Sequence, residues 1–404
     1  MIKPFHFQYQ LCNYFKAQKK TWQWFSETKN QTEQTKHFRT ELLKNTYRLE
    51  QNSDKAIYDL VDIAKQKLGI VIPVSVYQSQ NSNQNNAGII FFENEGHLIL
   101  SGPIIKLLNN DELLALISHE LAHILLFTID DGDFEITNRI INSIASDYRS
   151  ANAYAETARL YSLFTELFCD FNSYQVVQNS ATIISTLIKI ETGLDNVSPE
   201  NYLKQADEIM AVTEIGSTAD THPESFLRAK AISLFAADAN NANMVIPELI
   251  MGKQNLYALN IFSQSEIQAT TMQILQLVLK PKWMQTEMNK NLYRQYFTDY
   301  KSDSDAIVNK ELQNKIAGVS NSMKDYFAYV LLDFALCDSD ISEPASAFVL
   351  DLAENLQLKK SLTKAMQKEL KLSDKKFDAY CKSATTTLNK ILESSHENIY
   401  DAQP

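Results

Sequence analysis

Residues 109–129 read NNDELLALISHELAHILLFTI, and the order of residue types in this stretch decides how the chain is read. Asn110 is a helix-capping residue type, and Asp111 and Glu112 sit well in a first turn, against the positive end of the helix dipole. Apolar residues then run to about Ile129, interrupted by His119, Glu120 and His123. Those three form the pattern HExxH. Positions i and i+4 share one helix face, so both imidazoles reach a single ion at about 2.0–2.1 Å. Glu120 is offset and approaches the water held there. As ordinary core residues, two imidazoles and a carboxylate would be costly to bury in so apolar a helix.

Upstream, the hydrophobic period changes. Ile57, Leu60, Val61, Ala64 and Leu68 fall at helical spacing between a candidate cap, Ser53, and a terminating Gly69. IVIPVSVY (70–77), AGIIFFE (87–93) and HLILS (97–101) then read as strands. Downstream, strand signals nearly vanish, and helices are expected at 134–147, 152–178, 181–192, 199–211, 223–237 and 264–280. Nine glycines and nine prolines among 404 residues agree with a mostly helical protein.

Composition narrows the function classes. Net charge is −11 and no long basic run occurs, which disfavours a backbone-tracking nucleic-acid binder. Cys12, Cys169, Cys337 and Cys381 are scattered, with no CxxC pair, so a reducing compartment is expected. The N-terminus lacks a signal-peptide core, and Leu113–Ile129 is too interrupted by polar residues to span a bilayer. The expectation is a soluble, cytoplasmic protein without a membrane span.

Two histidines do not complete a zinc site; a catalytic site needs a third protein ligand and an open position. Glu166 and Asp170 share one face of the 152–178 helix, amid Leu163, Phe164, Leu167 and Phe168. Carboxylates on an apolar face need compensation, which a divalent cation with its histidines supplies. Glu166 is the candidate third ligand, and Asp170 is placed to accept a hydrogen bond from a ligand imidazole. Thr221-His222-Pro223 follows, with Pro223 suited to a first helical turn and Arg228 on that helix. On spacing alone His222 reads more simply as an exposed loop histidine, with Pro223 as a helix starter.

These pieces, in this order, resemble the HtpX-like heat-shock peptidases and Ste-type CAAX prenyl endopeptidases, zinc peptidases among the gluzincins. The resemblance covers about residues 54–237: HExxH at His119–His123, ExxxD at Glu166/Asp170, and Thr221-His222-Pro223 with Arg228. It implies one Zn2+ held by His119, His123 and Glu166, with Glu120 as general base and Asp170 and Arg228 in support. His222 either stabilises the tetrahedral intermediate or occupies the metal's fourth position until substrate arrives. Such a site makes hydroxide available near pH 7, and an edge strand before the active helix binds extended substrate by β-addition. Many relatives carry transmembrane helices; this sequence shows none, so the resemblance implies a soluble metalloendopeptidase acting on a protein or peptide substrate. The alternative is a zinc-stabilised interaction or scaffold protein, a stress-response adaptor with little turnover.

The fold expected is mainly α with a small β-sheet, an α+β gluzincin-type domain followed by an all-α domain. Residues 1–50 read as a helical extension packing aromatics such as Phe15 and Trp24 on the main body, 51–280 as the peptidase domain and 281–304 as a linker. Residues 305–395 read as a helical accessory domain. Its stretch YFAYVLLDFALCDSDISEPASAFVLDLAENLQL (326–358) resembles the tellurite-resistance TerB-like module, which has an acidic turn between two helices. Asp338, Asp340 and Glu343 are oxygen ligands for a hard cation or, more simply, a helix-cap turn with Asp340 or Ser342 as N-cap. This module is the candidate surface for a protein partner.

Overall fold

The computed structural model describes residues 2–27, 32–80, 84–92, 94–213, 216–298 and 305–395. It divides into two compact units, Met1–Gly252 and Lys253–Pro404.

The first unit opens with α1 (His6–Ala17), α2 (Lys19–Glu27) and α3 (Thr32–Asn45), then β1 (Thr46–Arg48) and α4 (Lys55–Leu68). Three strands follow: β2 (Val74–Ser79), β3 (Asn86–Phe92) and β4 (Glu95–Ser101). The rest is helical: α5 (Ile104–Leu107), α6 (Asn110–Thr128), α7 (Asp133–Ala145), α8 (Asn152–Val177) and α9 (Ser180–Thr192). α10 (Pro199–Val212), α11 (Ser225–Ala237) and α12 (Ala239–Met251) complete it. The mainly helical architecture with one small sheet is the one expected from the sequence.

The sheet order is β1-β2-β4-β3, with β2 parallel to β4 and the other pairs antiparallel. β3 therefore lies at an edge. Gly96 lets β4 lie close on α6: a Cβ there would sit 2.7 Å from the terminal methyl of Ile124 and 3.2 Å from Val74.

The central element is α6. Its N-cap is Asn109, one residue before the expected Asn110, because Asn109 accepts from the amides of Asp111 and Glu112 while Glu112 reaches back to the Asn109 amide. A cap of this kind is worth about 0.5–2 kcal/mol. Glu112 also takes a buried ion pair from Lys189 of α9 at 2.9 Å. By length and composition alone the helical run Asn110–Ala145 passes for a membrane span, but 72% of its apolar 18-residue window is buried within the protein. Burial, not polarity, is what marks α6 as a core helix. The cap of α4 is Asp54 rather than Ser53, and Gly69 ends the helix in the left-handed conformation, φ 72°.

The N-terminal residues belong to this unit. Leu11 and Phe15 are fully buried, the Phe5 ring packs at a tilt against Phe164 of α8 with centroids 5.1 Å apart, and the buried Gln8 donates to Thr165. Trp24 stays largely exposed.

The second unit is helical throughout its described residues: α13 (Ile261–Val278), α14 (Glu287–Tyr296), α15 (Lys310–Gly318), α16 (Asn321–Leu336), α17 (Ser342–Asn355), α18 (Lys359–Glu369) and α19 (Asp374–Ser395). Its core includes Ile274 and Val278 of α13, Met284 and Tyr293, with Phe327 and Phe334 of α16. The division thus falls at Gly252, upstream of the 281–304 stretch expected to be a linker. α13 and α14 give their apolar faces to the C-terminal core, which residue polarity alone does not reveal; residues 299–304 lie outside the described residues. The N-cap position of α17 is Ile341, with no side-chain cap. Glu343 accepts hydrogen bonds from Ser383 and Thr387 of α19, so its carboxylate ties two helices together.

Candidate metal centre

α6 and α8 pack against each other along their lengths and bring both sequence motifs to one cavity of about 400 Å³. The capped α6 fixes the phase at which His119, Glu120 and His123 emerge, and α8 presents Glu166 and Asp170 one turn apart. Leu163, Phe164, Leu167 and Phe168, fully buried, hold α8 in that rotation.

The imidazoles converge on one carboxylate. His119 Nε2 is 3.2 Å from Glu166 Oε2, while His123 Nε2 and His222 Nε2 are 3.7 and 3.5 Å from Oε1. Behind them, His119 Nδ1 donates to Asp170 Oδ1 at 2.9 Å. Asp170 in turn accepts two hydrogen bonds from Arg228 of α11, at 2.7 and 2.8 Å. All the site residues expected from the sequence therefore meet in this structure, Arg228 and His222 included.

His222 arrives on a loop, not on the helix start that Pro223 suggested; α11 begins at Ser225. Glu224 pins this loop, accepting from Ser217 Oγ and from the amide and hydroxyl of Thr218. Arg159 of α8, paired with Glu156, donates to the carbonyls of Ser217 and Ala219. The His222 side chain is 61% exposed, with Nδ1 2.9 Å from Thr221 Oγ1, and its Nε2 faces the cavity.

Electrostatics follow from this layout. Burial opposes charge on His119, yet its hydrogen bonds to Asp170 and Glu166, and their charges, hold its pKa up to about 10. Burial lowers His123 to about 4, which keeps that imidazole neutral and its lone pair free to ligate. Burial also raises Glu120 to about 7, a value suited to a proton shuttle at neutral pH. Glu166 stays ionised against its burial because His119, His123 and Arg228 surround it, and Asp170 is held low mainly by Arg228.

These residues fit a divalent metal. Two buried carboxylates, Asp170 and Glu166, favour positive charge on His119, and the nitrogen that faces Glu166 is where a metal cation would stand in place of the proton. Arg228, the nearby fixed cation, is engaged by Asp170. Two imidazoles and one carboxylate are the protein ligands of a catalytic zinc type. The structure adds a residue that the motif reading passed over. Cys169, three positions after Glu166 and fully buried, lies with His119 and His123 in a group whose ligand atoms are all within 4.8 Å of one another. Its signal in the sequence was the i+3 spacing from Glu166.

The cavity is walled on one side by β3, through Asn86, Ala87, Gly88 and Ile89, and on the other by α9, through Ile183, Leu187 and Ile190. Glu191, which accepts from Ser225, lies at its rim. A Cβ on Gly88 would meet nothing within 4 Å, so the edge strand faces open space there.

Residues 46–127, from β1 through nearly all of α6, match the model of Peptidase family M48. The match includes the HExxH and supports a metallopeptidase of that family; such peptidases are zinc-dependent. It stops short of Glu166, Asp170, His222 and Arg228, which only the fold joins to it. No curated protein and no solved structure matches the chain.

Proposed function

We propose that this chain is a zinc-dependent metalloendopeptidase that hydrolyses peptide bonds in extended or unfolded polypeptides. The observation that carries the reading is the convergence of three imidazole Nε2 atoms on Glu166, with His119 braced by Asp170 and Arg228. His119, His123 and Glu166 would hold one zinc per chain. A bound zinc polarises a carbonyl and makes water a usable nucleophile near neutral pH.

The chain's own residues do the rest. Glu120, one position from His119 and lining the same cavity, takes the proton of the attacking water and returns it to the leaving amine. His222, whose Nε2 faces the cavity, donates to the oxygen of the reacting carbonyl as charge develops. Asp170 holds the His119 ring so that Nε2, not Nδ1, points inward. β3 offers its free edge to an extended peptide backbone, and the apolar wall of α9 receives a side chain.

Metal analysis of the purified chain, beside hydrolysis of an unfolded protein, tests the reading. Zinc should be stoichiometric, and lost in His119→Ala and Glu166→Ala. Glu120→Gln keeps size but accepts no proton, so zinc should remain while hydrolysis falls by about 10² or more. Equal inertness of wild type and variant would refute the proposal.

A further inference from the structure

The proposed function, on which this inference rests, leaves one carboxylate of the cavity without a role. Glu120, Glu166 and Asp170 belong to the metal centre, and Asp170 engages Arg228. Glu191 stands apart from them, in the last turn of α9. Its hydrogen-bond partner is the neutral hydroxyl of Ser225, and no cation among the described residues pairs with it. Lys189, two positions earlier, is buried against Glu112 at 2.9 Å.

The surface leading to Glu191 is apolar. Ile183, Leu187 and Ile190 recur at i, i+4 and i+7, along one face of α9, and all three line the cavity. From Leu187 to Glu191 is one helical turn, a rise of about 6 Å, which the four-carbon stem of a lysine spans. Lysine and arginine lay their stems on apolar surface and keep the charged head in water. Here that head would meet an exposed carboxylate at the negative end of a helix. This end of α9 also adjoins the strand assigned to the substrate backbone: a Cβ on Gly193 would lie 3.9 Å from Asn85 Nδ2, just before β3. A peptide paired with Asn86–Ile89 would run past the last turn of α9.

We propose that α9 forms a specificity pocket for a lysine or arginine of the substrate, Leu187 and Ile190 holding the stem and Glu191 the cationic head. The preferred substrates are then extended basic segments rather than unfolded chains at large.

The test is binding rather than turnover. Full-length Glu120→Gln protein is titrated with short fluorescent peptides of alanine, serine and threonine that differ at one central position, occupied by lysine, norleucine or glutamate. Norleucine keeps the stem without the charge. The lysine peptide should bind about threefold to fivefold more tightly than the norleucine peptide at low salt, the scale of an exposed ion pair, and the glutamate peptide more weakly than either. The margin should shrink as salt is added. In the same background Glu191→Gln, which can still accept from Ser225, should bind the lysine and norleucine peptides alike, and Glu191→Lys should reverse the order of lysine and glutamate. Equal binding of lysine and norleucine peptides by the chain that keeps Glu191 overturns the proposal. So does a lysine preference that survives both substitutions, which would belong to the net charge of −11. Hydrolysis fails separately. Peptides that bind with the lysine preference but are never cut by wild-type protein refute the peptidase and leave the pocket. Cuts in an unfolded protein with no lysine or arginine at any fixed position refute the pocket and leave the peptidase.

Discussion

Replacing Asp170 by Asn probes the brace behind the proposed metal ligands. The Asp170 carboxylate takes three hydrogen bonds, one from His119 Nδ1 and two from Arg228, at 2.7–2.9 Å. An asparagine of the same shape keeps one acceptor oxygen and turns a pair of donor hydrogens toward donors. Arg228 is then left buried with its next carboxylate, Glu166, 4.0 Å away. Removing one partner of a buried pair costs about 3–5 kcal/mol. The retained oxygen argues for the lower end, about 3 kcal/mol, or a fall of roughly 6–12 °C in the unfolding temperature of a unit the size of the first one. Loss of the His119 brace should also weaken zinc by about 10–100-fold. The assays are thermal unfolding of the apoprotein and zinc competition against a chromophoric chelator. The double variant Asp170→Leu with Arg228→Met removes both charges; it should regain most of the stability but none of the zinc affinity. An Asp170→Asn protein with wild-type stability and wild-type affinity would refute the reasoning.

His222→Ala should lower kcat with little change in KM, because the role assigned to His222 is met only in the transition state; unchanged or raised activity would instead mark it as an occupant of the metal's fourth position. A chain ending at Gly252 should fold and retain zinc, since every site residue precedes the cut, whereas one ending at Ser304 should aggregate, as it carries α13 and α14 without the helices that bury their apolar faces. Loss of zinc from a folded 1–252 chain would refute the division. Burial holds the pKa of His97 below its ordinary value, with Glu95 opposing and Arg39 assisting, so the unfolded chain takes up its proton first. The neutral ring's contribution is therefore present above about pH 6.5 and lost as pH falls below it. His97→Gln, which keeps an acceptor for the Tyr77 hydroxyl, should flatten the acid side of the stability profile; an unchanged profile measured by denaturant unfolding would exclude His97 as its source.

What was legible in the sequence was the part written in short-range spacing. HExxH and ExxxD each lie within a single helix, and the helix period fixes which residues share a face, so His119, His123, Glu166 and Asp170 could be paired before any fold was known. The expected helices from α6 to α11 agree with the observed ones to within a few residues for the same reason. Three things were not legible. β1 is three residues long, and only its pairing with β2 makes it a strand. The cap of α6 shifted from Asn110 to Asn109 because two adjacent asparagines satisfy the same rule, and only the Glu112 return bond chooses between them. The boundary at Gly252 has no compositional mark. The polar, aromatic run after Pro281 looked like a linker because its buried apolar residues, such as Met284 and Tyr293, are few among many exposed ones.

The site residues also differ in how firmly they are held, and this bears on their roles. His119, His123 and Glu166 project from the two best-packed helices of the first unit, where rotation of either would expose fully buried phenylalanines and leucines. A metal placed there inherits that rigidity, and the Asp170–Arg228 pair adds a third helix, α11, to the same anchorage. His222 is held otherwise. Its loop is fixed largely by hydrogen bonds from Arg159 and to Glu224, with the neighbouring Pro223 buried, and its own ring is mostly exposed. Polar tethers at a surface open at far lower cost than a packed core. If the proposed roles hold, the residue that meets substrate is mounted at the surface on a tethered loop, while the three proposed ligands stand in the packed core of α6 and α8.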